Sequence, residues 1–118
     1  MTIPITIGVT AYNASYNIER AIVSASAQGA DEIIVVDDAS TDQTVSVMRR
    51  LPRQFPQIRL LENATNAGVA VSRNRIIEAA QGEFIAFFDD DDVSDPERCA
   101  RQVARLTDYE TVFAKGAP

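Results

Sequence analysis

Apolar residues recur along the chain in two alternating rhythms. Short runs rich in β-branched and aromatic side chains span Ile5 to Val9, Glu32 to Val36, Ile58 to Leu61 and Phe84 to Phe88. Between and after them, apolar positions return every three or four residues over Ile18 to Ala27, Asp42 to Leu51, Val69 to Ala80 and Pro96 to Leu106. The first rhythm predicts strands and the second amphipathic helices, so the chain reads as a β-α repeat. Ile33-Ile34-Val35-Val36 is apolar without a break. A strand of that kind needs cover on both faces, which points to a parallel sheet flanked by helices.

Local signals sharpen the helices. Ile18, Ala21, Ile22 and Ala25 share one face of the first, Val45 and Met48 continue that pattern in the second, and Cys99, Val103 and Leu106 line one side of the fourth. Ser40-Thr41-Asp42-Gln43 fits a capping box, with Ser40 as cap and Gln43 reaching back. Asp95-Pro96 places a cap before a proline at the first helical position. Gly29 and Gly82 are read as closing the first and third helices. Pro52 and Pro56 bracket a turn before the third strand, and Thr111 to Ala114 opens a fifth strand that stops almost at once. The expectation is one domain over residues 1–118, cut inside a larger fold.

Composition narrows the class. A length of 118 residues with 46% hydrophobic content is enough for one packed core. The net charge of -6 argues against a nucleic-acid partner, which requires a basic surface. No stretch approaches the roughly 18 apolar residues of a membrane span. Cys99 is the single cysteine and reads as a small buried side chain on a helix. A cytoplasmic location follows as an expectation, with any membrane association left to neighbouring segments.

The candidate chemistry lies at the carboxyl ends of the predicted strands, where α/β sheets bind ligands. Thr10-Ala11-Tyr12-Asn13 offers a hydroxyl, a ring able to stack on a nucleobase, and an amide. Asp37-Asp38 supplies carboxylates able to accept from a base N–H or a ribose hydroxyl. Asn66-Ala67-Gly68 opens the third helix, with Arg73 and Asn74 on its first turns, where a guanidinium can clamp a phosphate. Asp89-Asp90-Asp91-Asp92 follows the last apolar run directly, and four adjacent carboxylates repel one another unless a cation or solvent relieves them. If extension persists beyond the strand, alternation puts Asp89 and Asp91 on one side, so that both address one ion. Oxygen ligands in a chain without histidine favour Mg²⁺, Mn²⁺ or Ca²⁺ over zinc. Each feature also has a plain structural reading: turn chemistry for Asn13, a dipole-favoured helix entrance for Asp37 and Asp38, a surface arginine, and a solvated acidic loop before Pro96.

Taken in order, Thr10-Ala11-Tyr12-Asn13, Val35-Val36-Asp37-Asp38-Ala39-Ser40-Thr41-Asp42, Asn66-Ala67-Gly68 with Arg73-Asn74, and Phe88-Asp89-Asp90-Asp91-Asp92 resemble the family 2 glycosyltransferases of GT-A fold. The likeness runs from Ile5 to about Leu106. It implies a Rossmann-like α/β fold carrying the donor-binding half of a sugar transferase. It also implies a nucleotide diphosphate sugar as ligand, Mn²⁺ or Mg²⁺ as cofactor, and inverting transfer to an acceptor hydroxyl that the sequence does not identify. The resemblance assigns Thr10, Tyr12 and Asp38 to base and ribose contacts, with Asp37 as neighbour or support and counted with them among the substrate-binding residues. Gly68 and Arg73 fall near the donor pocket, and Asp90 faces the donor ribose or sugar. The D-x-D motif maps onto Asp89-Asp90-Asp91, with Asp91 the direct metal ligand, Asp89 its companion, and Asp92 an additional acid. Family members place the catalytic base and the acceptor elements further on, so no base is assigned.

Two rivals share parts of this pattern. A phosphoacceptor receiver domain is acidic, of similar length and parallel β-α, but its paired acids follow the first strand and a lone acid follows the third. Here the pair follows the second strand, the cluster follows the fourth, and Glu62 is the nearest acid to the third. A non-catalytic nucleotide-sugar-binding module shares every donor-side residue and differs only in turnover.

Overall fold

The computed structural model describes residues 3–107. Four strands, β1 (Ile3–Ala11), β2 (Ala30–Asp37), β3 (Ile58–Glu62) and β4 (Phe84–Asp89), form one sheet in the order β3-β2-β1-β4. Each neighbouring pair is parallel. The helices between them are α1 (Ile18–Ser26), α2 (Thr44–Arg50) and α3 (Val69–Ala79), and α4 (Arg98–Thr107) follows β4. The expected fifth strand, Thr111 to Ala114, lies outside the described residues.

Strand alternation sorts the side chains into two layers. Ile5, Ile7, Val9 and Ala11 of β1 join Ile33, Val35, Phe84 and Phe88 in one core, closed by Ile18, Ile22 and Ala25 of α1, Met48 of α2 and Cys99 of α4. The opposite face carries Ile34 and Val36, covered by Ile76 of α3 and by Ala80 just beyond it. Burying each of these aliphatic side chains contributes roughly 1.5–3 kcal/mol before entropy is counted. Gly8 faces α3, and a Cβ there would meet Ile76 Cγ2 at 2.5 Å, so the absence of a side chain sets how closely helix and sheet approach.

The winding creates the site. From β1 the chain builds outward through β2 to β3, and α3 then carries it back across β2 and β1 to β4 on the other side. The direction of winding therefore reverses between β1 and β4, and ligands of open α/β sheets bind above such a crevice.

Three local expectations are corrected. The capping box does not form, because Ser40 directs both its N–H and its hydroxyl to the Asp37 carboxylate. Asp42 takes that place, accepting from the backbone N–H and the hydroxyl of Thr44. Gly82 does not close α3, which ends through an extended Ala80. Gly82 is instead pressed against β1, donating to Thr6 Oγ1 at 2.9 Å, and a Cβ would lie 2.5 Å from the Thr6 nitrogen. The third concerns β4: extension ends at Asp89, and a turn closed by Asp92 N–H donating to the Asp89 carbonyl at 3.0 Å replaces the expected alternation. Gly29 does follow α1 in the left-handed region, at φ 75°. Asp95 caps the turn into α4, accepting from Glu97 N–H at 2.8 Å. Cys99 is fully buried, as read. No helix among the described residues is long and apolar enough to cross a membrane.

Candidate functional site

A cleft of about 460 Å³ opens above the β1–β4 crevice. The end of β1 contributes Thr10, Ala11 and Tyr12, the end of β2 contributes Asp38, and the entrance of α3 contributes Asn66, Val69 and Ser72. Asp89, Asp90 and Asp91 form the remaining wall. The chain thus brings Thr10, Tyr12, Asp38, Asp89, Asp90 and Asp91 together from three separate segments. Tyr12 is 47% exposed, which leaves it accessible to a flat partner.

The rim is held by hydrogen bonds between loops. Asn13, in the left-handed region at φ 47°, donates its N–H to Ser40 Oγ and accepts from Thr41 N–H at 2.8 Å through its side-chain oxygen. Thr44 Oγ1 accepts from Ala14 N–H at 2.8 Å. Asn13 is therefore a clasp between the β1 and β2 loops, and its turn reading holds. Across the crevice, Tyr12 N–H donates to Asp90 Oδ2 at 3.0 Å and ties the two strand ends together.

The two acids after β2 diverge. Asp37, counted among the substrate-binding candidates, is buried, holds Ser40 and does not line the cleft. Asp38 lines the cleft, yet its carboxylate already accepts from Ala67 N–H at 2.8 Å, Gly68 N–H at 2.9 Å and Asn63 Nδ2 at 2.9 Å. The Ala67 bond leads in holding Asp38 below the ordinary carboxylate range, against the opposing effect of burial, with the Asn63 and Gly68 bonds adding to it. Gly68, at φ 95°, turns the chain so that its own N–H reaches Asp38.

The acids after β4 are a different population. Asp89 and Asp91 are exposed. Burial pushes Asp90 above the ordinary carboxylate range, opposed by the Tyr12 N–H and reinforced by the Asp91 and Asp89 charges. Arg73 does not line the cleft; it lies 3.9 Å from Asp89 and over the Phe87 ring at 5.2 Å, beside the acidic wall. Asn63 is the residue that sequence reading passed over. It bonds Asp38, Ser72 and Arg75 at once, and its position directly after β3, on the same edge, is the signal that would have found it.

The donor set suits a hard cation shared with a ligand. Four carboxylates border one cleft, Asp38 and Asp89 to Asp91, but among the described residues no group of three ligating side chains converges on a point. Mg²⁺-type ions are commonly held by one or two carboxylates and completed by phosphate oxygens and water, which such a wall permits. Glu62, the acid nearest the end of β3, pairs with Arg49 at 2.9 Å and does not line the cleft, so the lone acid that the receiver reading needed is not at this site.

Residues 6–118 match the family described as Glycosyl transferase family 2. The chain is 41% identical over 103 residues to the succinoglycan biosynthesis protein ExoO of Rhizobium meliloti, covering 86% of this chain and 29% of that one. It is 32% identical over 105 residues to the putative teichuronic acid biosynthesis glycosyltransferase TuaG of Bacillus subtilis, covering 87% of this chain and 42% of that protein. Among solved structures it resembles the mannosyltransferase PcManGT of Pyrobaculum calidifontis, in complex with GDP-Man and Mn²⁺, at TM-score 0.82 and 27% identity, covering 95% of this chain and 34% of the other. It also resembles S. aureus TarS 1-349 in complex with UDP, at TM-score 0.77 and 29% identity, covering 92% and 32%. The fold is therefore that of the GT-A glycosyltransferases. The chain belongs to glycosyltransferase family 2, and it spans between 29% and 42% of the length of the two curated relatives.

Proposed function

We propose that residues 1–118 form the donor-binding unit of an enzyme that moves a sugar from a nucleotide diphosphate sugar to an acceptor hydroxyl, with inversion at the anomeric carbon. The observation that carries this reading is the convergence of Tyr12, Asp38 and Asp89 to Asp91 on one cleft at the carboxyl edge of a parallel sheet. Similar chains in complex with UDP and with GDP-Man and Mn²⁺ support it.

In this reading Tyr12 stacks on the nucleobase, and Thr10 and Asp38 bond the base or ribose. Three protein bonds on Asp38 leave its carboxylate a fixed acceptor that needs no reorganisation on binding. Asp37 and Gly68 shape the loops that present it. Asp90 faces the donor ribose or sugar, and Arg73 balances the acidic wall from outside. Asp91, with Asp89, would hold Mn²⁺ or Mg²⁺, which when bound supplies neutralisation of the charge growing on the departing diphosphate. No residue of the described chain is assigned as the acceptor's base.

Calorimetry with UDP and GDP, in Mn²⁺ and in chelator, tests the reading. Binding is expected to be tighter with Mn²⁺, and Asp91→Ala is expected to erase that gain. Tyr12→Ala is expected to weaken binding about tenfold or more in both conditions, the magnitude of a lost base-stacking contact. Equal affinity with metal and with chelator refutes the metal assignment, and unchanged binding by Tyr12→Ala places the base elsewhere.

A further inference from the structure

Asp92 is separated from its three neighbours by what it touches. It does not line the cleft, and its Oδ1 accepts from Ser94 Oγ at 2.8 Å with the Arg98 guanidinium 3.6 Å away. Arg98 also donates to Ser94 Oγ at 2.8 Å and lies over the ring of Phe88, 4.4 Å from its centroid. Phe88 is a buried residue of β4 paired with Val9 of β1, so the guanidinium rests on a ring anchored in the sheet. A planar cation that stacks on a ring while bonding a hydroxyl beside a carboxylate is a task for arginine and not for lysine.

The other end of this segment is fastened separately. Ser24 of α1 accepts from Ser94 N–H at 2.7 Å and donates to the Ser94 carbonyl at 3.2 Å. The buried Gln28 donates to the Asp95 carbonyl at 2.7 Å and accepts from Cys99 N–H at 2.9 Å, capping α4 from a neighbouring element. Between these anchors and the end of β4, Asp92 and Arg98 join the turn to the α4 side, while Asp90 ties it to β1 through Tyr12 N–H.

We propose that Asp92 and Arg98 are positioning residues: their bracket against Ser94 and Phe88 sets the shape of the Asp89–Asp92 turn and so the placement of Asp89, Asp90 and Asp91 along the cleft. The fourth acid of the run is then a strut rather than a ligand. The consequence for ion binding rests on the function proposed above; the ordering of the turn does not.

The test uses the whole chain with Asp92→Asn, Arg98→Gln and the double variant. The two side chains are 28% and 32% exposed, so single substitutions at this margin leave the core intact. Amide exchange followed by NMR reads the Asp92 N–H, which closes the turn. It is expected to exchange several-fold faster in each single variant, with β1 amides unchanged and little added by the second substitution. The Mn²⁺-dependent gain in UDP or GDP affinity is expected to fall about tenfold in each, as when the partners of metal ligands are removed. Affinity in chelator is expected to fall by less than this. Unchanged Asp92 exchange overturns the proposal. So does loss of the Mn²⁺ gain in Asp92→Asn with full retention in Arg98→Gln, which would make Asp92 a ligand. Should the parent chain show no Mn²⁺ gain, the metal reading of the proposed function fails and the exchange result alone decides the bracket.

Discussion

Asp37 and Asp38 leave β2 much as Asp89 and Asp90 leave β4, each pair following an apolar run at the same edge of one parallel sheet. Their surroundings separate them. Asp38 is 6% exposed and accepts three hydrogen bonds, two from the backbone at the entrance of α3. Asp89 and Asp91 are exposed, and Asp90 receives one inter-loop bond, from Tyr12 N–H. The β2 acids fasten loops to one another, whereas the β4 acids remain open toward a cleft. Both Asp38 and the β4 acids border the cleft; whether a strand-end carboxylate also carries the fold is thus decided by whether a neighbouring loop brings donors to it.

The strongest way to break this contrast is to remove Asp38. Asp38→Ala leaves the Ala67 and Gly68 N–H groups and the Asn63 amide without their acceptor. Bonds to a charged group contribute roughly 1.5–3 kcal/mol each when isolated, and partial replacement by water reduces the sum. Urea unfolding is expected to show a loss of about 3 kcal/mol. A loss below about 1 kcal/mol would place Asp38 among ordinary surface positions and end the distinction.

The same contrast marks where sequence reading succeeded and where it stopped. All four strands were legible because Ile33 to Val36 and Phe84 to Phe88 are apolar runs whose type depends on composition within a few residues. The rim residues Thr10, Tyr12, Asp38 and Asp89 to Asp91 were legible because they follow those runs, and the sheet gathers carboxyl ends on one edge. What escaped depends on which partner a polar group finds in the fold, near or far in sequence. Ser40 bonds Asp37 rather than capping α2, and Gly82 answers to Thr6, 76 positions away. The alternation expected for Asp89 and Asp91 failed because the chain turns as soon as ladder pairing with β1 ends at Asp89. Asn63 was missed for the same reason, since its three partners lie on β2's loop and on α3.

Acid titration sharpens the contrast at a smaller scale. Asp38 sits below its ordinary range when folded, led by the Ala67 N–H bond. A carboxylate depressed in this way contributes stability that is fully present above the unfolded value of about 3.9 and is lost as pH falls through the folded value. Stability of the parent chain is therefore expected to decline on acidification below about pH 5, more steeply than that of Asp38→Asn. Asp42 shares the sign, lowered first by the Thr44 hydroxyl, but is exposed and adds little. Urea midpoints for parent and variant across this window measure the difference. Parallel curves would mean that the Asp38 bonds do not distinguish its two protonation states.

The smallest expected effect belongs to the open acids. Asp91 is exposed, borders the cleft, and raises the Asp90 carboxyl through like charge. Replacing it with asparagine removes a repulsion without taking an acceptor from a backbone donor. The expected change is a shift within about 0.5 kcal/mol, on the stabilising side, in the same urea measurement. Asp91→Asn should then keep the fold while losing the Mn²⁺-dependent gain, the reverse of what Asp38→Ala does to stability. A destabilisation above about 1 kcal/mol would show that the β4 turn also relies on this carboxylate. The β2 and β4 acids would then be two versions of one structural device, and the claim that only the β2 set carries the fold would fall.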